Sequence, residues 1–106
     1  MIKEKSEKLV SWRHPGGKLL RKGSDSLSDV ELIAVLIGSG VPGKSAINIA
    51  SDIFAQFQSF RGMAGKSIEN FKKIKGLKTV KIVRIMAAFE IAKRIVEQVL
   101  EEQQDE

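Results

Sequence analysis

Hydrophobic residues recur along nearly the whole chain at the three- and four-residue spacing of amphipathic helices, and no segment alternates as a strand does. Glycines and serines interrupt this pattern and divide it into about five pieces. The stretch HPGG, residues 14–17, is expected to break the chain before KLLRKG, a short turn or helix that Gly23 closes. The pattern predicts an all-α fold, a compact bundle of about five short helices.

A capping signal marks the start of the first long apolar run. Ser28 and Glu31 stand three residues apart, as in a capping box, so the amides of the first helical turn gain partners. This predicts a helix over about residues 29–37 that ends at Gly38. A second amphipathic helix is predicted over residues 46–57, where apolar residues return at helical spacing.

The second half of the chain predicts a further helix and then the longest one. Ser67 is the expected cap of a helix that Gly76 ends, and Thr79 opens a helix that runs into the acidic C-terminus. The apolar stripe of this last helix consists of Ile82, Ile85, Met86, Phe89, Ala92, Val96 and Val99. The phenylalanines are expected in the core: Phe54, Phe57, Phe60, Phe71 and Phe89.

Composition limits the chemistry that the chain can perform. With 106 residues, 42% of them hydrophobic and 29% charged, the chain is expected to be one soluble globular domain. There is no cysteine and His14 is the single histidine, so no disulfide, metal site or other cofactor is expected. No side chain has the partners of a catalytic base or nucleophile, which predicts a protein that is not an enzyme. Without a signal peptide or membrane span, the expected location is the cytoplasm.

Positive charge is concentrated in one segment of the chain. Residues 1–60 carry eight Lys/Arg against six Asp/Glu, residues 61–94 carry ten against two, and residues 95–106 carry none against five. Such a block favours a polyanionic partner, although lysines on the solvated faces of helices would give the same count.

The stretch GSGVPGKS, residues 38–45, matches the phosphate-loop pattern of nucleotide hydrolases. That fold also needs several parallel strands and an aspartate that holds the metal water, and the chain supplies neither. The capping box instead predicts a helix, a glycine turn and a second helix. A glycine turn at a helix start still presents amides to an anion, so a second phosphate-binding turn without catalysis is expected at Gly38, Gly40, Gly43, Lys44 and Ser45.

Another glycine turn lies in FKKIKGLKTVKIVRIMAAFEIAKR, residues 71–94, which resembles the helix-hairpin-helix motif of proteins that bind DNA without sequence preference. Gly76 permits a positive backbone angle, Leu77 is expected to anchor the hairpin inward, and the amides that open the next helix are expected to face a phosphate. The candidate DNA-binding residues are Lys75, Gly76, Leu77, Lys78, Thr79, Lys81 and Arg84. Contacts to phosphates alone would make binding dependent on salt.

This motif departs from its usual form at two positions. Lys78 stands where a second glycine is usual, and it either adds a phosphate contact or keeps the backbone from approaching closely. Ile82 stands where a small residue is usual, which could widen the helix packing. The two glycine turns with their following helices also resemble each other, which suggests two hairpins related by a pseudo-twofold axis.

The run LSDVELIAVLIGSG, followed by GKS, FAQFQSF and the IKGLKTVK hairpin that ends in FEIAKR, resembles the N-terminal domain of RadC-like (UPF0758) proteins over about residues 15–95. The resemblance implies an all-α helix-hairpin-helix domain in a family labelled as DNA repair proteins. Family members commonly open with a Pro-Arg-Glu-Lys-like segment, whereas two glycines follow Pro15 here, so the first short helix is expected to be altered. Members usually continue into a JAB/MPN metallohydrolase domain, whose zinc ligands are absent from these residues.

Three segments are therefore expected: a charged lead-in (1–14), in which Trp12 covers the edge of the core or stacks on a base, the helix-hairpin-helix domain (15–95), and an acidic helix end or linker to a further domain (96–106). The predicted function is a non-catalytic module that binds a nucleic acid backbone, expected to be DNA, without sequence preference. The alternative is a protein-interaction or scaffold module that positions a C-terminal metallohydrolase domain.

Overall fold

The computed structural model describes residues 14–104. The predictions for residues 1–13 of the lead-in, including Trp12, therefore lie outside the described residues. The helices are α1 (Pro15–Lys22), α2 (Asp29–Ile37), α3 (Ala46–Phe57), α4 (Phe60–Met63), α5 (Ile68–Lys72) and α6 (Thr79–Gln104), with a 3-10 turn at Ser24–Ser26. Over these described residues the backbone forms no strand, only an isolated bridge between Val41 and Lys44. The predicted all-α bundle is confirmed, with six helices in place of about five.

Serine side chains define where four of the helices begin. Each accepts a hydrogen bond from the amide three residues further on, a donor that the helix itself leaves free. The four caps are Ser28, Ser45, Ser59 and Ser67. At α2 the predicted capping box is complete, because the Ser28 amide also donates to the Glu31 carboxylate at 2.9 Å. The predicted caps of α2 and α5 and the predicted start of α6 at Thr79 are confirmed.

The expectation that residues 15–17 lie outside the short helix is wrong. Helix α1 begins at Pro15 and includes Gly16 and Gly17, and it ends where the Gly23 amide donates to the Leu19 carbonyl at 2.8 Å. Proline suits the first helical position, because no helical hydrogen bond needs its missing amide there and its ring already fixes a helical φ. The two glycines that follow Pro15, where the family usually has other residues, therefore do not interrupt the helix, which makes about two turns.

The core lies between two helical hairpins, one made of α2 and α3 and the other of α5 and α6. Helix α2 packs against both α3 and α6, which joins the hairpins. The buried cluster consists of Ile33, Ala34, Ile37, Ile49, Ala50, Ile53, Met63, Phe71, Ile74, Leu77, Ile82 and Ile85. Of the five phenylalanines, Phe71 is fully buried and the other four are partly buried against this cluster. All five therefore contribute to the core, as predicted.

Helix α6 is packed against the core only along its first half. Ile82 and Ile85 are fully buried, and Met86 and Phe89 pack against the cluster, as the stripe predicts. The helix has 26 residues and is thus about 39 Å long at 1.5 Å per residue, far longer than α2, which covers its first turns. The stripe therefore continues past the core, and Val96 and Val99 are 57% and 46% exposed. None of the described helices is both long enough and apolar enough to cross a membrane.

Glu31 ties helix α1 to the start of α2. Its carboxylate accepts hydrogen bonds from the Ser28 amide at 2.9 Å and from Lys18 Nζ at 3.0 Å. The bond from the Ser28 amide, and after it the bond from Lys18, holds the pKa of Glu31 below its ordinary value. A carboxyl group whose pKa is lowered by folding stabilises the fold while it is ionised, and this contribution is lost as the pH falls through the folded pKa.

We expect Glu31→Gln to lower the free energy of unfolding at about pH 7 and to have a smaller effect at about pH 2, because the contribution of the ionised carboxylate is lost as the pH falls through its lowered folded-state pKa. Denaturant unfolding of both chains at the two pH values measures the difference. The control is Glu69→Gln, which removes the exposed partner of Lys72 within α5. An equal loss at both pH values would contradict the role assigned to the ionised carboxylate.

Candidate nucleic-acid interface

The second glycine turn, residues 73–78, lies directly against the first, residues 38–45. Gly76 has a φ of 85°, and a Cβ atom on it would lie 3.2 Å from Val41 Cγ2 and 3.3 Å from Ile49 Cδ1. Glycine is required here for two reasons, the left-handed backbone and the close approach of the other hairpin. Leu77 is buried, as predicted for the residue that anchors this hairpin.

The first turn is closed by its own backbone. Val41 and Lys44 exchange two amide-to-carbonyl hydrogen bonds of 2.9 Å, with Pro42 and Gly43 at the tip of the turn. Gly40 lies so close to the chain that returns to α3 that a Cβ atom on it would collide with the Lys44 carbonyl oxygen. Helix α2 precedes this turn where a nucleotide hydrolase would have a strand, so the predicted order of helix, glycine turn and helix is confirmed.

Ser45 is engaged as the cap of α3, since its Oγ accepts a hydrogen bond from the Asn48 amide at 3.1 Å. The prediction that Ser45 is a helix N-terminal residue is therefore confirmed. Its contact with a phosphate stays a prediction.

Lys44 joins the two turns. Its Nζ donates a hydrogen bond to the Lys75 carbonyl oxygen at 3.2 Å and forms an ion pair with the Asp52 carboxylate of α3. The side chain is 23% exposed and reaches into the junction between the hairpins. The sequence predicts Lys44 as a phosphate ligand, and in this geometry its ammonium group already has two protein partners. No local pattern could have indicated this link, because its acceptor is a main-chain oxygen 31 residues away.

Helix α6 begins without the serine cap that four other helices have. Among the hydrogen bonds of residues 14–104, none has the amide of Lys78, Thr79 or Val80 as its donor, and all three residues are exposed. The Lys81 amide is the first to have an acceptor, the Lys78 carbonyl at 2.9 Å. Free amides and the positive end of the helix dipole make this helix start favourable for an anion.

Four cations lie around this helix start. Lys75 and Lys78 are exposed on the turn itself. Lys81 and Arg84 extend toward the first turn, since a Cβ atom on Gly38 would lie 3.8 Å from Lys81 Nζ and 3.9 Å from Arg84 Nη1. Gly38 follows the end of α2, whose last carbonyls carry partial negative charge that attracts both cations.

The structure thus brings Gly38 of the first predicted site beside the residues of the second predicted site. We call this group of residues the turn surface, and it consists of Gly38, Lys75, Lys78, Thr79, Lys81 and Arg84. Of the two residues that depart from the usual motif, Lys78 is exposed on the turn surface, whereas Ile82 is fully buried in the core. Within residues 14–104 no three His, Cys, Asp or Glu side chains lie close enough together to hold a metal ion.

Comparison with known proteins gives a family. The model of the UPF0758 N-terminal domain matches residues 7–83. The chain is 39% identical over 83 residues to a UPF0758 protein of Alteromonas mediterranea, which is 78% of this chain and 37% of the relative. It is 36% identical over 94 residues to a UPF0758 protein of Carboxydothermus hydrogenoformans, which is 89% of this chain and 42% of the relative. The chain spans about two fifths of the length of these relatives. No solved structure matches it significantly.

We expect Gly76→Ala to destabilise the fold more than Gly43→Ala. Both glycines have a positive φ, 85° and 81°, but a Cβ atom on Gly43 would meet nothing within 4 Å. The left-handed backbone costs an alanine about 1–2 kcal/mol at either position, and crowding against Val41 and Ile49 adds about 1–3 kcal/mol at Gly76 alone. Denaturant unfolding measures both losses. Equal losses would mean that the two turns do not interlock through Gly76.

Proposed function

Because the chain belongs to the UPF0758 family, whose N-terminal domain it matches, we propose that it is a non-catalytic module that binds a nucleic acid backbone without sequence preference. The nucleic acid that we expect it to bind is DNA. In this proposal α5, the turn at residues 73–78 and α6 act as a helix-hairpin-helix unit. The observation that carries the proposal is the uncapped start of α6 among four cations, at residues 75–84.

The contrast among the helix starts supports this function. In four helices a serine side chain accepts a hydrogen bond from the third amide, whereas no side chain caps the start of the longest helix, and the amides of residues 78–80 have no protein acceptor in the described part of the chain. A phosphate oxygen at this position would accept hydrogen bonds from main-chain amides and lie beside the ammonium groups of Lys75 and Lys78. Because amides and lysines of this kind contact phosphates and not base edges, they confer affinity without sequence preference.

We expect the turn surface to contact more than one phosphate of a strand. Lys81 and Arg84 extend it from the start of α6 to Gly38, at the beginning of the first glycine turn. A strand that contacts the α6 amides could therefore place a neighbouring phosphate beside these two side chains. Neutralising several phosphates releases counterions, so the affinity should fall steeply with salt.

We expect the chain to bind random-sequence DNA with a Kd of about 10⁻⁴–10⁻⁶ M at physiological salt, the range of non-specific binders, and more tightly in dilute buffer. The double variant Lys75→Glu/Lys78→Glu is expected to weaken binding about tenfold or more and to reduce the salt dependence, because two phosphate contacts are lost. Fluorescence anisotropy of a labelled duplex at two or more salt concentrations measures both effects.

The matched control for this charge reversal is Arg21→Glu/Lys22→Glu. It makes the same change of net charge at two exposed residues of α1. Equal weakening by the two double variants would show that only the net charge matters and would contradict a site at the turn surface. An absence of binding in dilute buffer would contradict the proposed function itself.

A proline substitution tests the main-chain amides separately from the lysines. Thr79 is the first residue of α6, a position where proline preserves a helix but removes the amide hydrogen. We expect Thr79→Pro to weaken DNA binding about threefold to tenfold with little change in stability, because one charge-assisted hydrogen bond to phosphate is lost. The control is Ile68→Pro, which makes the same change at the first residue of α5. Unchanged binding by Thr79→Pro would show that the main-chain amide at this position does not contact the DNA.

A second candidate function is a protein-interaction or scaffold module acting beside a C-terminal metallohydrolase domain in longer members of the family. The observation that favours it is the exposed apolar surface on the second half of α6, where Ile91, Ile95 and Val96 are each more than half exposed. If the chain ignores DNA in dilute buffer, this second function becomes the better account of the domain.

A further inference from the structure

A cleft of about 360 Å³ lies between the turn that follows α4 and the middle of α6, and we call it the α6 cleft. The least exposed side chains of its lining form its floor and are all apolar: Met63, Phe71, Met86 and Phe89. Its volume lies within the range of small-molecule sites, which begins at about 300 Å³. No residue of the turn surface lines this cleft, so it is a separate feature of the domain.

The floor of the α6 cleft suits an aromatic group. Met63 and Phe71 are almost completely buried, and Met86 and Phe89 are partly buried against the core. Methionine side chains are flexible, and their sulfur atoms make favourable contacts with aromatic rings. Phenylalanine rings gain a further attraction when they pair with another ring. We therefore expect an aromatic group to bind here more tightly than an aliphatic group of the same size.

The rim of the cleft carries a positive charge that the protein does not neutralise. Lys66 and Lys93 line the cleft and are exposed, and neither forms an ion pair with a carboxylate of residues 14–104. Glu90 also lines the cleft, but its carboxylate accepts a hydrogen bond from Arg94 Nε at 2.9 Å. Because Arg94 offsets the charge of Glu90, the two lysines favour an anionic ligand.

Gly65 adds a main-chain donor to the same rim. It lines the cleft and is exposed, and its amide donates none of the hydrogen bonds found within the described residues. A Cβ atom at Gly65 would meet nothing within 4 Å, so the space beside it is open. Amides and ammonium groups that donate to a carboxylate form charge-assisted hydrogen bonds, which are stronger than those between neutral groups.

The charged rim lies close to the apolar floor. Lys93 follows Phe89 by one turn of α6, and the Lys66 amide donates to the Met63 carbonyl at 3.1 Å. A ligand that contacts both rim and floor therefore needs its acidic group near its ring, as in an aromatic carboxylic acid. In a nucleotide, by contrast, the sugar separates the phosphate from the base.

We propose that the α6 cleft binds an aromatic group that carries a carboxylate, with the ring on the floor and the carboxylate between Lys66 and Lys93. Two sources share this chemistry, a free aromatic acid and a peptide whose last residue is phenylalanine. The proposal does not rest on DNA binding, because no residue of the turn surface takes part in it.

Titration of the intact chain with 3-phenylpropionate, followed by the methionine methyl resonances in NMR spectra, tests the site. We expect saturable shifts at Met63 and Met86, because both line the cleft and a bound ring changes the magnetic field at nearby methyl groups. The alcohol 3-phenylpropan-1-ol has the same ring without the carboxylate and is expected to bind about tenfold more weakly or worse. Equal binding of acid and alcohol, or no saturable shift with the acid, would overturn the proposal.

The double variant Lys66→Met/Lys93→Met tests the rim, because it removes both ammonium groups and keeps long apolar side chains. We expect it to bind 3-phenylpropionate about tenfold more weakly and the alcohol as the parent does. Both lysines are exposed, so the stability of the fold should change little. The matched control is Lys72→Met/Lys73→Met, which removes two exposed lysines that do not line the cleft. Equal weakening by the two double variants would overturn the assignment to this cleft.

Two further ligands distinguish the source of the carboxylate and the competing chemistry. A short peptide that ends in phenylalanine with a free carboxylate should bind more tightly than 3-phenylpropionate if the natural ligand is a chain end, and more weakly if it is a free acid. Amidation of that peptide should weaken its binding in either case. Tighter binding of adenosine monophosphate than of 3-phenylpropionate would overturn the proposal and assign the cleft to nucleotides.

Discussion

The close approach of Gly76 to Val41 and Ile49 is the contact on which the rest of the domain depends. A main chain without a side chain at this point lets the turn between α5 and α6 lie against the first turn and the side of α3. The bond from Lys44 to the Lys75 carbonyl fastens the same junction by a polar contact. Together they fix the two hairpins relative to each other, because interdigitated groups in a packed core tolerate little displacement.

This junction explains how residues from distant parts of the sequence form one surface. Once the turns interlock, the start of α6 lies beside the end of α2, and Lys81 and Arg84 come within reach of Gly38.

Much of the fold could be predicted because its signals are local. Ser28 with Glu31, and Ser67 before α5, are cap patterns that the neighbouring backbone satisfies by itself. The start of α1 could not be predicted in the same way, because proline and glycine read as a break in isolation. Pro15 starts the helix instead, and Gly17 is buried within the helix, which packs against α2.

Other features depend on contacts that a linear pattern cannot express. The two partners of Lys44 lie on different helical hairpins, and one of them is a carbonyl that any residue could provide. Likewise, apolar spacing in α6 indicates which residues share a face but not where the bundle ends, so the exposure of Val96 and Val99 appears only in three dimensions. The contacts that hold the turn surface in place therefore could not be predicted from the sequence.

The most direct measurement of the central claim is a titration of the isotopically labelled chain with a short DNA duplex, followed by the shifts of its backbone amide resonances in NMR spectra. The account predicts that the largest shifts occur at Lys78, Thr79 and Val80, with smaller ones near Gly38, and that added salt reverses them. The serine-capped amide of Asn48 should move little. Shifts confined to residues outside the turn surface, or none at low salt, would contradict it.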